Sequence, residues 1–99
     1  MGGRKIIVRQ SVADSIAGIA WFIESKGLVK TAEKFSDSVY DFLEKLGQPL
    51  REYNVCRDPD RALLGYKCVV FKKKYTIVFI ESTDELLICE FIPSKLIYW

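Results

Sequence analysis

Three runs of strand-forming residues, Tyr66–Phe71, Tyr75–Glu81 and Leu86–Ile92, follow one another with only a few residues between them. A crossover that returns the chain parallel to itself needs a dozen or more residues, so these links admit only antiparallel hairpins. The last third of the chain is therefore expected to be a three-stranded meander. Lys72, Lys73 and Lys74 form its first tip and Ser82–Glu85 its second.

Upstream, the pattern changes period. Leu28, Ala32, Phe35, Val39, Phe42, Leu43 and Leu46 fall on one face at 100° per residue, with Asp37, Asp41 and Glu44 opposite. Gly47 is a natural helix end and Pro49 stops any continuation. Before this helix, Val12, Ile16, Ile19, Ala20 and Ile23 mark another. It is expected to start at a Ser11 cap with Asp14 completing a capping box, and to end at Gly27. The β-branched run RKIIVR, Arg4 to Arg9, reads as a first strand. Gln48 to Gly65, with its RDPDR, reads as a long connection of turn-forming residues.

At 99 residues the chain is expected to be a single domain. The element order is strand, helix, helix, strand, strand, strand. The expected fold is α+β: an N-terminal strand, an antiparallel helical hairpin and three antiparallel strands, with the helices on one face of a mostly antiparallel sheet.

Charge and chemistry narrow the function. Residues 51–75 hold seven Lys/Arg against three Asp/Glu, whereas residues 76–99 hold one against four. Positive charge is thus concentrated in the connection and the hairpin after it, where it can attract phosphate or remain a solvated loop. The absence of histidine removes Ser–His and Cys–His nucleophile pairs, His-liganded zinc and imidazole acid–base catalysis. Gly2-Gly3 precedes a strand and not a helix, which excludes a phosphate loop. No metal or cofactor is expected. No apolar run approaches the roughly 18–20 residues of a membrane span. Cys56, Cys68 and Cys89 are odd in number and lack metal-ligand spacing, pointing to a reducing cytosol and not a disulfide scaffold. Cys68 and Cys89 are expected as small buried hydrophobes.

Trp21 does not fit a lone monomer. It falls about 180° from the centre of its helix's apolar face, among Asp14, Ala17, Gly18 and Ser25. It is either a protein–protein anchor or is covered by a loop or by Tyr98–Trp99.

SVADSIAGIAWFIESKG, then TAEKFSDSVYDFLEKLGQPLRE with its Ala-x-x-Phe opening, then GYKCVVFKKKYTIVFIESTDELLICEFI, together resemble the RelE/ParE superfamily of type II toxin–antitoxin toxins. The resemblance covers nearly the whole chain and implies a cytoplasmic toxin neutralised by a cognate antitoxin. It implies one of two targets: DNA gyrase, bound by the ParE-like branch, or mRNA on the ribosome, cut by the RelE-like branch. In RelE-like enzymes an arginine follows the tyrosine that opens the second strand of the meander; here that place is Thr76, which favours the ParE-like branch. Arg51, Arg57, Arg61, Lys72, Lys73 and Lys74 are then the expected target- or phosphate-binding residues, and Trp21 the expected antitoxin contact. Under the nuclease alternative, Arg61, Lys67 and Lys95 would stabilise the phosphate and Tyr98 would move the proton. A third alternative is an inactive relative that only binds its antitoxin.

Overall fold

The computed structural model describes residues 4–48 and 52–97. The elements are β1 (Lys5–Val8), α1 (Gln10–Glu24), α2 (Val29–Leu46), α3 (Pro59–Leu63), β2 (Lys67–Phe71), β3 (Tyr75–Glu81) and β4 (Glu85–Pro93), followed by a 3-10 turn, Ser94–Leu96. Among the described residues the strands form one sheet in the order β1-β4-β3-β2. The α+β layout is the one expected. β2, β3 and β4 are a meander, and β1 lies parallel to β4 from Lys5↔Glu85 to Val8↔Ile88. No described helix is long and apolar enough to cross a membrane.

The core lies between the helical hairpin and one face of the sheet. Val12 and Ile16 of α1 and Val39, Leu43 and Leu46 of α2 meet Phe71, Ile77, Phe79, Leu86, Ile88 and Phe91. Each large apolar side chain buried this way contributes about 1.5–3 kcal/mol. Strand alternation alone would put Ile88 and Phe91 on opposite faces, being three residues apart. A bulge resolves this: Val78 pairs with Glu90 and Phe79 with Ile88, leaving Cys89 unopposed. Phe91 is thereby returned to the helical side.

Several local expectations change. Ser11 is not the cap of α1; Arg9 occupies that position and makes no side-chain cap bond. The Arg9 amide donates to the Ile88 carbonyl, and its own carbonyl accepts from Val12 and Ala13. That tether to β4 sets the chain reversal at Arg9 and draws Ser11 into the first turn. Asp14 accepts from the Gln10 amide at 2.9 Å and closes no capping box. Leu28, expected on the apolar face, is the exposed N-cap of α2. Gly47 caps α2 with a φ of −80°, so left-handed backbone is not what requires glycine there. Proximity is: a Cβ would lie 2.6 Å from the Arg4 carbonyl oxygen. The Arg4 amide also donates to the Gly47 carbonyl at 2.8 Å, tying β1 to the end of α2.

The expected long turn contains α3, with Asp58 at its N-cap and Pro59 in its first turn, a placement proline's fixed φ favours. The connection also borders β2. Val55 bridges Lys67, the Cys56 amide donates to the Tyr66 carbonyl and the Cys68 amide to the Asn54 carbonyl. This pairing brings Cys56 and Cys68 together as a disulfide with Cα atoms 4.8 Å apart. The expectation of no disulfide is corrected accordingly, the cysteine argument for a reducing cytosol falls with it, and Cys68 is half-buried in this bridge and is not the buried free side chain expected. Cys89 is the buried free thiol, as expected.

Candidate binding groove

Along α1, Ser15, Gly18, Ile19 and Phe22 recur at helical spacing and form one wall of a groove of about 850 Å³. Tyr75, Phe91 and Pro93 supply the apolar part of the facing wall, and Lys73, Lys74 and Lys95 rise from it. The floor is held by ring packing. Tyr75 and Phe91 stack with centroids 4.9 Å apart, and Phe35 of α2 meets them at 5.6 and 6.5 Å. The rim is closed by backbone: the Ser94 amide donates to the Lys74 carbonyl at 2.8 Å, holding the C-terminal turn against the hairpin tip.

The tip has an unusual backbone. Lys72 and Lys73 have φ of 52° and 62°, and the Lys74 amide donates to the Phe71 carbonyl at 3.1 Å. Two consecutive left-handed residues define a type I′ turn, which normally takes Asn-Gly because side chains with a Cβ are disfavoured there. The Lys72 ammonium lies 5.4 Å from the Phe71 ring centroid. Among the described residues, Lys73, Lys74 and Lys95 have no ion-pair partner and no acidic side chain lines the groove. On the opposite lip Phe22 is 57% exposed, with the Lys26 ammonium 4.6 Å above its ring. Trp21, one position earlier in α1, is 70% exposed, so of its two alternatives the covered one does not hold among the described residues.

The other expected site residues do not converge here. Arg61 projects from α3 to β4. Its guanidinium donates to both carboxylate oxygens of Glu90 at 2.8 Å and to Asp58 at 2.7 Å. The hydrogen bonds to Glu90 push its ionisation above the ordinary arginine range, with Asp58 adding to the effect against the cost of burial. Its charge is thus matched by two carboxylates, which is not the setting of an open phosphate ligand. Lys67 pairs with Phe79 at the start of β2. By strand rise it lies roughly 17 Å along the hairpin from Lys74. Arg57 is exposed beside that same end of β2. Among the described residues, Arg57 and Lys67 at one end of β2 are therefore separated by its length from the lysines of the hairpin tip. Arg51 and Tyr98 lie outside the described residues.

Thr76 is 7% exposed and its hydroxyl is 3.0 Å from the Ser94 hydroxyl. It alternates with Tyr75 and so faces away from the groove. Burial pushes the Cys89 thiol up, which keeps it protonated and a poor nucleophile. Among the described residues no three His, Cys, Asp or Glu side chains gather as metal ligands would. What the groove offers is apolar surface, exposed aromatic edges and a one-sided positive rim, suited to binding.

Lys95 belongs to the groove although it was expected for another reason, and Gly18 was not singled out as a site residue at all. The signal for Gly18 was available, since glycine inside an apolar helical pattern is costly. Compared with known proteins, the chain matches no family model and no curated protein.

Proposed function

We propose that the chain is the toxin of a type II toxin–antitoxin pair, of the ParE-like, non-nucleolytic kind. It acts in the cytoplasm by occluding a macromolecular target, DNA gyrase, and is neutralised by a cognate antitoxin. The observation that carries this reading is Thr76. In the resemblance on which the proposal rests, RelE-like enzymes place a guanidinium at that position to meet the dianionic phosphate. Here the position holds a buried threonine closed by Ser94. Arg61, one of the candidate cations for that task, is held by Glu90 and Asp58. The element order and the helical hairpin on one sheet face support the superfamily assignment. The lysine-rimmed groove supports action by binding.

The test is induction in growing bacteria. Growth arrest with DNA breaks, an SOS response and intact transcripts is expected. Ribosome-dependent cuts in mRNA within minutes of induction would replace this reading by the mRNA interferase. Normal growth alongside tight binding to the product of an adjacent reading frame would leave an inactive antitoxin binder.

A further inference from the structure

On the sheet face that carries Thr76, one cross-strand row runs from Cys68 of β2 through Val78 of β3 to Glu90 of β4. Segment 54–65 is fastened to both ends of that row. Cys56 joins Cys68 through the disulfide, and Arg61 holds Glu90 with two hydrogen bonds of 2.8 Å. Val78, between the two fastenings, is fully buried, yet neither it nor Cys56 belongs to the core between the helices and the sheet. The segment is therefore a flap lying across the back of the sheet.

The flap is lightly built. α3 has no buried residue, and Leu63 at its end is 87% exposed. Among the described residues its backbone pairing with β2 is the Val55↔Lys67 bridge and the amide bonds from Cys56 to Tyr66 and from Cys68 to Asn54. Its two ends are better defined. Tyr53 donates its hydroxyl to the Leu46 carbonyl at 2.9 Å and packs edge-on against Phe79. Gly65 leaves α3 with a φ of 83°, a turn glycine makes without steric cost. A segment with so little buried apolar surface between two fixed points opens locally unless something fastens it.

The covalent fastening is open to exchange from one side. Cys56 is 2% exposed, whereas Cys68 is half-buried on the outermost strand of the sheet. A small thiolate can thus reach the Cys68 sulfur and not that of Cys56. Reversible bridges of this kind serve as redox sensors where glutathione is abundant.

We propose that Cys56–Cys68 is an exchange site for a low-molecular-weight thiol of the glutathione class, and that its reduction unlatches the flap from the sheet. The thiolate attacks Cys68 Sγ, the S–S bond breaks, and Cys56 leaves as a thiolate that takes up a proton. A second glutathione thiolate attacks the glutathione sulfur of the mixed disulfide, releasing Cys68 and one glutathione disulfide. Two glutathiones are oxidised and the bridge takes up their two electrons; glutathione disulfide reverses both steps. Reduction lets the Cys56 end lift, which uncovers Val78 and frees the outer edge of β2 at Cys68. The row lies on the face turned away from the groove, so the inference stands apart from the toxin reading.

The full chain is equilibrated across a series of glutathione to glutathione disulfide ratios and followed by hydrogen exchange with mass spectrometry. Reduction is expected to speed exchange at the Cys56 and Cys68 amides at least about tenfold, with α2 and the β3–β4 pairing unchanged. Trapped midway with an alkylating reagent, the protein should carry glutathione on Cys68 and the alkyl group on Cys56. Glu90→Gln should speed flap exchange further in the reduced chain and little in the oxidised one. Cys56→Ser/Cys68→Ser should exchange like the reduced parent at every ratio, which excludes an effect of glutathione elsewhere on the chain. The proposal is overturned if flap exchange is the same in both redox states or if the bridge stays closed in excess reduced glutathione. Loss of α2 protection together with the flap would equally overturn it, and glutathione trapped on Cys56 would refute the exchange step.

Discussion

Arg61 illustrates how much a residue's role depends on partners that are distant in sequence. Asp58 is three positions away, but Glu90 is twenty-nine away, on β4, and meets Arg61 only through the folded sheet. Local reading sees a basic residue in a basic stretch; the pairing exists only after the meander has formed. Arg61→Ala leaves two partly buried carboxylates facing each other and should cost about 1–2 kcal/mol, after discounting for residual solvent. Urea denaturation of Arg61→Ala, Glu90→Ala and the double variant measures that coupling. At the hairpin tip the opposite sign is expected. Lys73 holds a φ of 62°, so Lys73→Gly should stabilise the fold by about 1 kcal/mol. Cys89 gives a pH signature. Burial raises its thiol pKa in the folded state, so its contribution is complete below the ordinary thiol pKa and is lost as pH rises through the folded value. Stability measured at stepped alkaline pH should therefore fall less steeply in Cys89→Ala than in the parent.

At the scale of elements, two glycines predict opposite outcomes for the same substitution. Gly47→Ala forces its new methyl toward the Arg4 carbonyl at 2.6 Å, where β1 crosses the end of α2. It should destabilise by about 1–3 kcal/mol, because backbone on both sides is hydrogen-bonded and cannot easily yield. Gly18→Ala meets no atom and should stabilise by about 1 kcal/mol. Thermal melts of the two variants side by side decide the matter. The sequence marked Gly47 correctly as the end of α2, though its structural reason is contact across elements and not a left-handed cap. The link from Asn54 to Tyr66 shows a similar limit. Turn residues were legible, but pairing with β2 was not, and that pairing is what joins Cys56 to Cys68. A bridge closing a loop of this separation stabilises by about 3 kcal/mol in the chain-entropy account. Reduction under native conditions should lower the urea midpoint accordingly, and Cys56→Ala/Cys68→Ala should show the same loss without reductant.

For the whole molecule, the architecture was readable because its signals are local and mutually consistent: short links between strand runs, two helical stripes and a β-branched start. β3 falls where its residue pattern put it, and β2 and β4 within a residue or so. The groove was not readable, because it depends on three non-local events. The Cys89 bulge turns Phe91 toward α1, the Ser94–Lys74 bond folds Lys95 onto the hairpin, and open space at Gly18 faces both. Charge counting along the chain therefore grouped Arg57 and Arg61 with Lys72–Lys74, whereas the fold separates them and recruits Lys95 instead. The same fold places Thr76 on the sheet face opposite the groove, away from every unpaired lysine of the rim. Among the described residues this arrangement gathers an apolar, lysine-rimmed groove and does not bring Arg61, Lys67 and Lys95 together, which fits the proposed action by binding.

That claim is tested most directly by adding purified protein to one translation-competent bacterial extract and following plasmid supercoiling and transcript integrity together. Supercoiling should stop while transcripts remain whole, and Lys73→Glu/Lys74→Glu/Lys95→Glu should restore it. Continued supercoiling with transcripts cut on the ribosome would contradict the account.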